Sequence, residues 1–245
     1  MDSIKFLGVI IDHKLCWSKH IRILTNKVRN SISQLYGMRK VIPPKLKTSI
    51  YNAIVNSQIS YAITVWGGTA IGDKLKPLFL LQKRALRNLF CIRRVSRFVK
   101  GHTKSIFHKH KILTIYNIFN YMTIFSIGKL SKLNEPVYLS EILMLNVNAL
   151  TRRNRLYLPK FDRNHYQNSF CYQAPKLWNL LASSPSYCYD VTNSPTLNSM
   201  KSRLKKFLII MQTYGSKTEW IDSNKAIGTY LTAIKADPNF DKVGN

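Results

Sequence analysis

The residues best suited to do chemistry in this sequence are lysines and arginines, which cluster in an interval free of acidic side chains. No aspartate or glutamate lies between Asp73 and Glu135. The densest basic stretch in that interval comprises Lys83, Arg84, Arg87, Arg93, Arg94, Arg97, Lys100, Lys104, Lys109 and Lys111. A solvated surface normally mixes both signs of charge, whereas a one-sided cationic surface is typical of proteins that bind phosphate groups. The stretch therefore predicts phosphate binding, with a simple solvated helix face as the alternative.

Carboxylates, which metal-dependent phosphoryl chemistry requires, are scarce. Two-metal catalysis needs at least two carboxylates that converge on Mg²⁺, but the first 134 residues contain only Asp2, Asp12 and Asp73. The chain has no glycine-rich phosphate loop and no Gly-x-Ser-x-Gly nucleophile motif, and the histidines between residues 102 and 110 fit no common zinc spacing. We expect no catalytic residues, no metal site, no cofactor and no autonomous enzymatic activity.

The composition describes a folded, strongly basic body. The chain has 245 residues, with 38 lysines and arginines against 11 acids and a net charge of +27. Its 45% apolar and 11% aromatic fractions exclude a disordered basic tail. Such a charge is naturally compensated by a polyanionic partner, so nucleic acid is the first candidate and an anionic membrane surface is the second.

Several cellular classes are disfavoured by the sequence. It contains no run of 18 apolar residues that could cross a membrane and no secretory signal at its N-terminus. The four cysteines are far apart and form no Cys-x-x-Cys pair, which suits reduced thiols. We expect a cytoplasmic or nuclear protein that is not secreted.

Apolar periodicity predicts a strand at Ile4–Ile11, followed by an amphipathic helix. Ser18 is a plausible cap for this helix, and Gly37 lies near its end. Its apolar residues recur every three or four positions: Trp17, Ile21, Leu24, Val28, Ile32 and Leu35.

Two further helices are predicted before residue 90. Pro43-Pro44 opens the first, with an apolar stripe of Leu46, Ile50, Ile54 and Tyr61. Asp73 caps the next, whose inward face comprises Leu75, Leu78, Phe79, Gln82, Leu86 and Leu89. On its outer face Lys76, Lys83 and Arg87 lie together, because separations of seven and four return to one side of a helix.

The remainder of the chain is predicted to be less regular. A short helix covers residues 103–109, and a longer one starts at Thr114. Residues 136–200 contain five prolines and are predicted to form loops and short pieces, followed by a basic helix at Ser199–Gln212. Trp17, Tyr51, Tyr61 and Trp66 are expected in the core rather than as stacking platforms.

The order of several motifs resembles the reverse transcriptases of non-LTR retrotransposons. Phe6-Leu7-Gly8-Val9-Ile10-Ile11-Asp12, with Leu15, Trp17, His20 and Ile21 after it, is similar to the run that follows the palm carboxylates in that family. Leu81-Gln82-Lys83-Arg84-Ala85-Leu86-Arg87 is similar to a family helix. The resemblance also includes Tyr51, Tyr61, Trp66-Gly67, His102, Ile106-Phe107 and Ile112-Leu113, and, more loosely, residues 150–211.

The resemblance implies a mainly α fold. It comprises a short β-strand or hairpin remnant of the palm at residues 1–16 and a thumb-like helical bundle at 17–135. A loop-rich region with a final basic helix follows at 136–214, and a flexible tail at 215–245. The catalytic Phe/Tyr-x-Asp-Asp motif of the family does not occur in this sequence.

The resemblance also implies a function. The chain would be a truncated fragment of an RNA-directed DNA polymerase that lacks the catalytic aspartates and keeps template–primer binding through a basic thumb. Its partners would be an RNA–DNA hybrid or other nucleic acid, contacted through phosphates, and the rest of the polymerase. The expected nucleic-acid ligands are Lys76, Lys83, Arg84, Arg87, Arg93, Arg94, Arg97, Lys100, His102 and Lys104. The primer-grip-like residues are Phe6, Leu7, Gly8 and Val9, where Gly8 either lets backbone approach the primer end or simply bends a core strand.

Two alternatives stay open at this point. The first is a self-standing basic helical protein that binds RNA or DNA without any role in polymerisation. The second is a protein that binds anionic membrane surfaces, although we expect no membrane partner. Preferred binding to one defined RNA would favour the first, and pelleting with acidic vesicles would favour the second.

Overall fold

The protein is mainly helical and begins with a two-stranded antiparallel sheet, as predicted. The computed structural model describes residues 3–68, 74–92, 103–133, 156–158, 160, 164–182 and 191–214. The chain divides into two compact units, residues 1–118 and residues 119–245.

The first unit starts with a β-hairpin, which the resemblance allows, whereas apolar periodicity alone predicts a single strand over Ile4–Ile11. Strand β1 (Ser3–Phe6) pairs with β2 (Val9–Asp12), with Phe6 opposite Val9 and Ser3 opposite Asp12. The turn consists of Leu7 and Gly8, whose φ angles of 43° and 81° match the positive values that two-residue hairpin turns need. The prediction of one strand was wrong because leucine rarely takes positive φ, so a continuous apolar run conceals the turn.

Helix α1 (Ser18–Met38) confirms the first predicted apolar stripe. All six of its members are buried: Trp17, Ile21, Leu24, Val28, Ile32 and Leu35. Ser18 does not cap the helix, because Trp17 occupies the N-cap position with a left-handed φ of 60° and no side chain caps the helix from there.

The second predicted helix has a different inward face from the one expected. It comprises α2 (Pro44–Tyr51), a π-helical turn (Asn52–Asn56) and α3 (Ser57–Ser60), and a short helix, α4 (Ile63–Trp66), follows a break at Ala62. The buried residues are Tyr51, Val55, Ile59 and Ile63, whereas the predicted Leu46 and Tyr61 are exposed. Leu46, Ile50 and Ile54 are spaced by four, as Tyr51, Val55 and Ile59 are. Apolar spacing alone therefore does not distinguish the two stripes, and the prediction chose the wrong one.

Helix α5 (Lys76–Leu89) follows, and α6 (Lys104–Lys109) lies further along the chain. The predicted inward face of α5 is confirmed, because the following residues are all buried: Leu75, Leu78, Phe79, Gln82, Leu86 and Leu89. The proposed cap, Asp73, lies outside the described residues. Helix α5 packs against α1, and this pairing forms the main helix–helix contact of the unit.

A buried glutamine links three parts of the first unit. The Gln82 side-chain amide donates to the Tyr51 hydroxyl and to the Leu113 carbonyl, each at 2.9 Å. Its carbonyl oxygen accepts from the Ile115 backbone N–H at 3.0 Å. Burial raises the pKa of the Tyr51 phenol far above its ordinary value, although the hydrogen bond with Gln82 lowers it in part. Gln82 therefore satisfies buried polar groups that could not otherwise reach water.

The second unit contains most of α7 (Ile115–Leu133), together with α8 (Asn164–Gln167), α9 (Phe170–Ala182) and α10 (Leu197–Tyr214). Helix α10 confirms the final basic helix. Helix α9 runs through the region predicted as loops and short pieces, with Pro175 inside it. Proline normally interrupts a helix, which is why the sequence does not predict α9.

Replacing Gly128 on α7 with alanine should destabilise the second unit. A Cβ atom at this position would overlap Sδ and Cε of Met200, which is fully buried on α10. Because the methionine must move within a packed core, we expect a loss of about 1–3 kcal/mol in the free energy of unfolding, measured with urea. Gly37→Ala is the matched control, since nothing lies within 4 Å of its Cβ position in α1, and it should raise stability slightly. Equal effects at the two glycines would contradict the close approach.

Candidate nucleic-acid interface

The predicted cations within the described residues lie on α5 and at the start of α6. Lys76 and Arg84 are exposed, and Lys83, Arg87 and Lys104 are half-buried. The Lys83 ammonium lies 4.1 Å from the centroid of the Phe79 ring, which holds its alkyl stem against the helix. The other predicted ligands fall outside the described residues: Arg93, Arg94, Arg97, Lys100 and His102.

A groove runs between α1 and α5, and we call it the α1–α5 groove. Its larger part has a volume of about 510 Å³ and is lined by Thr25, Arg29, Pro77, Leu80, Leu81, Arg84, Arg87, Asn88 and Ile92. Its smaller part, of about 310 Å³, is lined by Arg29, Ile32, Ser33, Tyr36, Leu81, Arg84 and Asn88. The two parts share four residues, two of which are Arg29 and Arg84, so they form one continuous cleft that is lined by three arginines in all.

The structure brings two of the predicted ligands, Arg84 and Arg87, together in this groove. Lys76, Lys83 and Lys104 are not among the lining residues. The shared outer face predicted for Lys76, Lys83 and Arg87 therefore does not define the groove. Arg87 instead joins Arg84, which is three positions away and thus a neighbour on the helix surface.

Arg29 on α1 was missed by the sequence reasoning. Its guanidinium donates to Asn26 Oδ1 at 2.9 Å and lines both parts of the groove. A signal was available, because Arg22, Arg29 and Tyr36 are spaced by seven and so recur on one exposed side of α1.

The electrostatic setting of the groove is one-sided. The first 118 residues carry 22 lysines and arginines against Asp2, Asp12 and Asp73. The Asp12 carboxylate accepts hydrogen bonds from the backbone N–H groups of Cys16 and Trp17, at 2.9 and 2.8 Å. Its charge therefore stabilises the turn before α1, and among the described residues that line the groove none is acidic. An arrangement of this kind attracts phosphate.

The residues expected to resemble a primer grip form the end of the hairpin. Phe6 and Leu7 are exposed, and Val9 is buried. The Tyr61 hydroxyl donates to the Leu7 carbonyl at 2.6 Å, and the Tyr61 ring lies 3.6 Å from the position of a Cβ on Gly8. Tyr61 thus braces the turn from outside the core, so its predicted core position was wrong, whereas Trp17, Tyr51 and Trp66 are buried as expected.

The base of the hairpin is tied to α1 by the Asp12 turn and by His20. The Ile10 backbone N–H donates to Nδ1 of His20 at 3.4 Å, and the imidazole packs on the Trp66 ring at 5.5 Å between centroids. Burial lowers the pKa of His20, which favours the neutral ring that can accept this hydrogen bond. In the Asp–x–x–Leu–x–Trp–x–x–His pattern, Asp12 and His20 therefore have structural roles at the junction between the hairpin and α1.

Asp12 should make a pH-dependent contribution to stability. Partial burial raises the pKa of its carboxyl, but hydrogen bonds from Cys16, Trp17 and Lys14 outweigh that effect and hold the pKa below 3.8. The stabilisation is therefore present above the unfolded-state value and is lost as the pH falls through the lower folded-state value. Asp12→Ala should cost about 1 kcal/mol at neutral pH, and urea unfolding should show this difference shrinking below about pH 4. A difference that stays constant into acid would contradict the capping role.

Two further findings concern other classes of site. Within the ranges that the structure describes, no three His, Cys, Asp or Glu residues are grouped so that they could hold a metal ion. Among the helices of the described residues, none is both long and apolar enough to cross a membrane.

Comparison with known proteins identifies polymerases of mobile elements. The chain is 34% identical over 88 residues to the RNA-directed DNA polymerase from mobile element jockey of Drosophila funebris. It is 26% identical over 89 residues to the probable RNA-directed DNA polymerase from transposon X-element of Drosophila melanogaster. Each match covers 35% of this chain but only 10% of the relative's length. No protein-family model and no solved structure matches the chain. The resemblance to non-LTR retrotransposon reverse transcriptases is thereby confirmed over about a third of the chain.

Proposed function

We propose that this chain, similar over about a third of its length to RNA-directed DNA polymerases of mobile elements, holds the template–primer nucleic acid of such an enzyme. In this proposal the chain is a fragment without the catalytic aspartates, and its first helical unit acts as a basic thumb. The observation that carries the proposal is the α1–α5 groove, where Arg29, Arg84 and Arg87 line one cleft and no acid is found among its described lining residues.

The physical case rests on phosphate neutralisation. An arginine that replaces counterions at a phosphate gains affinity through their release into solution, and this gain falls as salt rises. Contacts to phosphate and sugar carry no base information, so binding should be indifferent to sequence. A hybrid duplex close to A-form presents a wide, shallow minor groove, which helices can approach by shape.

The remaining predicted residues extend the same proposal. Three predicted lysines do not line the groove but are close in sequence to residues that do: Lys76, Lys83 and Lys104. In this proposal they contact flanking phosphates, as do the cations of residues 93–102. The exposed hairpin end, with Phe6 and Leu7 in a turn braced by Tyr61, would lie against the primer end. Gly8 is suited to that position because its φ of 81° strains any side chain.

Two solution measurements test the proposal. In equilibrium titrations the protein should bind an RNA–DNA hybrid with a log–log salt slope steeper than about −3, since several phosphates are neutralised. A flatter slope would contradict multi-phosphate binding. Incubation with template–primer, nucleotides and either Mg²⁺ or Mn²⁺ should give no primer extension, because the Phe/Tyr-x-Asp-Asp motif, which supplies the metal-binding aspartates in the family, does not occur in the sequence. Extension by the purified chain would overturn that part of the proposal.

A further inference from the structure

We infer that the α1–α5 groove takes an unpaired strand of nucleic acid and holds at least one base inside the cleft, in addition to binding phosphates. This inference rests on the proposed function and deepens it, because binding of duplex phosphates alone would not require the groove's apolar and aromatic lining. The argument concerns what lines the cleft between its arginines.

The lining of the larger part is apolar and accessible. Leu80 is 53% exposed and Ile92 is 40% exposed, and both lie in the same cleft as Arg84 and Arg87. A surface that contacts only phosphates gains nothing from exposed aliphatic side chains, whereas the face of a base buries apolar area against them. Alternating cationic and apolar side chains suit a strand whose phosphates and bases both touch the protein.

The smaller part carries an aromatic platform. Tyr36 lines it and remains 51% exposed. The Arg39 guanidinium lies 3.5 Å from the centroid of the Tyr36 ring and also donates to the Tyr36 carbonyl at 2.6 Å, so the ring and the guanidinium form a layered pair. Bases stack readily both on aromatic rings and on guanidinium planes.

Polar groups complete the smaller part. Ser33 and Asn88 line the same part as Tyr36. The Ser33 hydroxyl donates to the Arg29 carbonyl at 3.3 Å, so its oxygen can accept a hydrogen bond from a base, and the Asn88 amide can both donate and accept. The volume of about 310 Å³ lies at the small end of ligand pockets, which fits one base rather than a duplex. Arg29 and Arg84 belong to both parts of the groove, so a phosphate between them would be followed by a base on either side. An acidic peptide is an alternative ligand that would complement the arginines, but its carboxylates would not stack on the Tyr36 ring.

The test compares three labelled probes of equal length by fluorescence anisotropy. They are a thymidine strand, a strand of abasic residues with the same phosphates, and an RNA–DNA hybrid. The thymidine strand should bind at least about fivefold more tightly than the abasic strand, which corresponds to one stacked base. Tyr36→Ala should remove that difference without weakening abasic binding, whereas Tyr36→Phe should preserve it. Arg84→Gln should weaken both strands.

Each contrary outcome has a distinct meaning. Equal affinity for thymidine and abasic strands, or an equal loss for both with Tyr36→Ala, would overturn the inference. If the hybrid still bound with a steep salt slope in that case, the proposed function would stand. If none of the probes bound, both would fail. Displacement of the thymidine strand by polyglutamate of equal charge would show that the groove selects acidic polymers in general, and this would also overturn the inference.

Discussion

Replacing Arg29, Arg84 and Arg87 together with glutamine is expected to weaken binding to an RNA–DNA hybrid by about a hundredfold to five-hundredfold at 0.1 M salt. Each arginine that neutralises a phosphate contributes somewhat less than a factor of ten at this ionic strength. The three residues line one cleft, so their contributions should act on the same strand. Anisotropy titrations at fixed salt measure the loss directly.

A matched control removes three charges elsewhere. Lys201, Lys205 and Lys206 are exposed on α10 in the second unit, and their replacement with glutamine lowers the net charge by the same amount. We expect a loss of threefold at most, because only the long-range field changes and salt screens it. The double variant Arg29→Gln/Arg84→Gln changes only exposed positions. A loss of binding in this variant therefore cannot be attributed to misfolding. An equal loss in the groove variant and the α10 control would show that binding is diffuse.

Gln82→Met should strongly destabilise the first unit, with a loss of about 3 kcal/mol in the free energy of unfolding. Methionine preserves the length of the side chain but supplies no hydrogen bond. The Ile115 N–H, the Leu113 carbonyl and the Tyr51 hydroxyl would each lose a partner, and a buried group left unpaired costs about 1–3 kcal/mol. Urea unfolding measures the change, which is a large part of ordinary domain stability.

Gln58 provides the control for this prediction. It is half-buried and its amide makes one hydrogen bond in the described region, to the Ser31 hydroxyl at 2.8 Å. Gln58→Met should therefore cost less than 1 kcal/mol. Hydrogen exchange gives a second readout, because the Ile115 amide should lose protection in Gln82→Met and keep it in Gln58→Met. Similar stability losses for the two variants would contradict the bridging role of Gln82.

The sequence predicts those helices whose apolar spacing is regular. The stripes of α1 and α5 follow the ordinary helical period, so Val28, Leu35, Leu78 and Leu86 were placed in the core correctly. These two helices are also the walls of the groove. Much of the scaffold of the candidate site was therefore accessible from the sequence.

The period fails where the backbone departs from a regular helix. Around the π-helical turn at Asn52–Asn56, the buried stripe is Tyr51, Val55 and Ile59 rather than the equally spaced Leu46, Ile50 and Ile54. The hairpin turn at Leu7 escapes notice because its φ of 43° is unusual for leucine. At the hairpin turn a local dihedral choice, which residue type does not reveal, decides which side chains face inward.

Tertiary placement decides the rest of the site. Gln82 was assigned to the inward face, but its hydrogen bonds depend on residues about thirty positions away on either side. Arg29 and Arg84 come from different helices and share a groove only because α1 packs on α5. Sequence spacing relates residues within one element, so it could locate half of this cleft and not the other half.

The salt dependence of hybrid binding by the wild type, the triple groove variant and the α10 control tests the central claim most directly. Each phosphate contact that is removed should flatten the log–log slope by about one. We therefore expect a slope flatter by about three for the groove variant and nearly unchanged for the control. Identical slopes for the wild type and the groove variant would show that Arg29, Arg84 and Arg87 contact no phosphates.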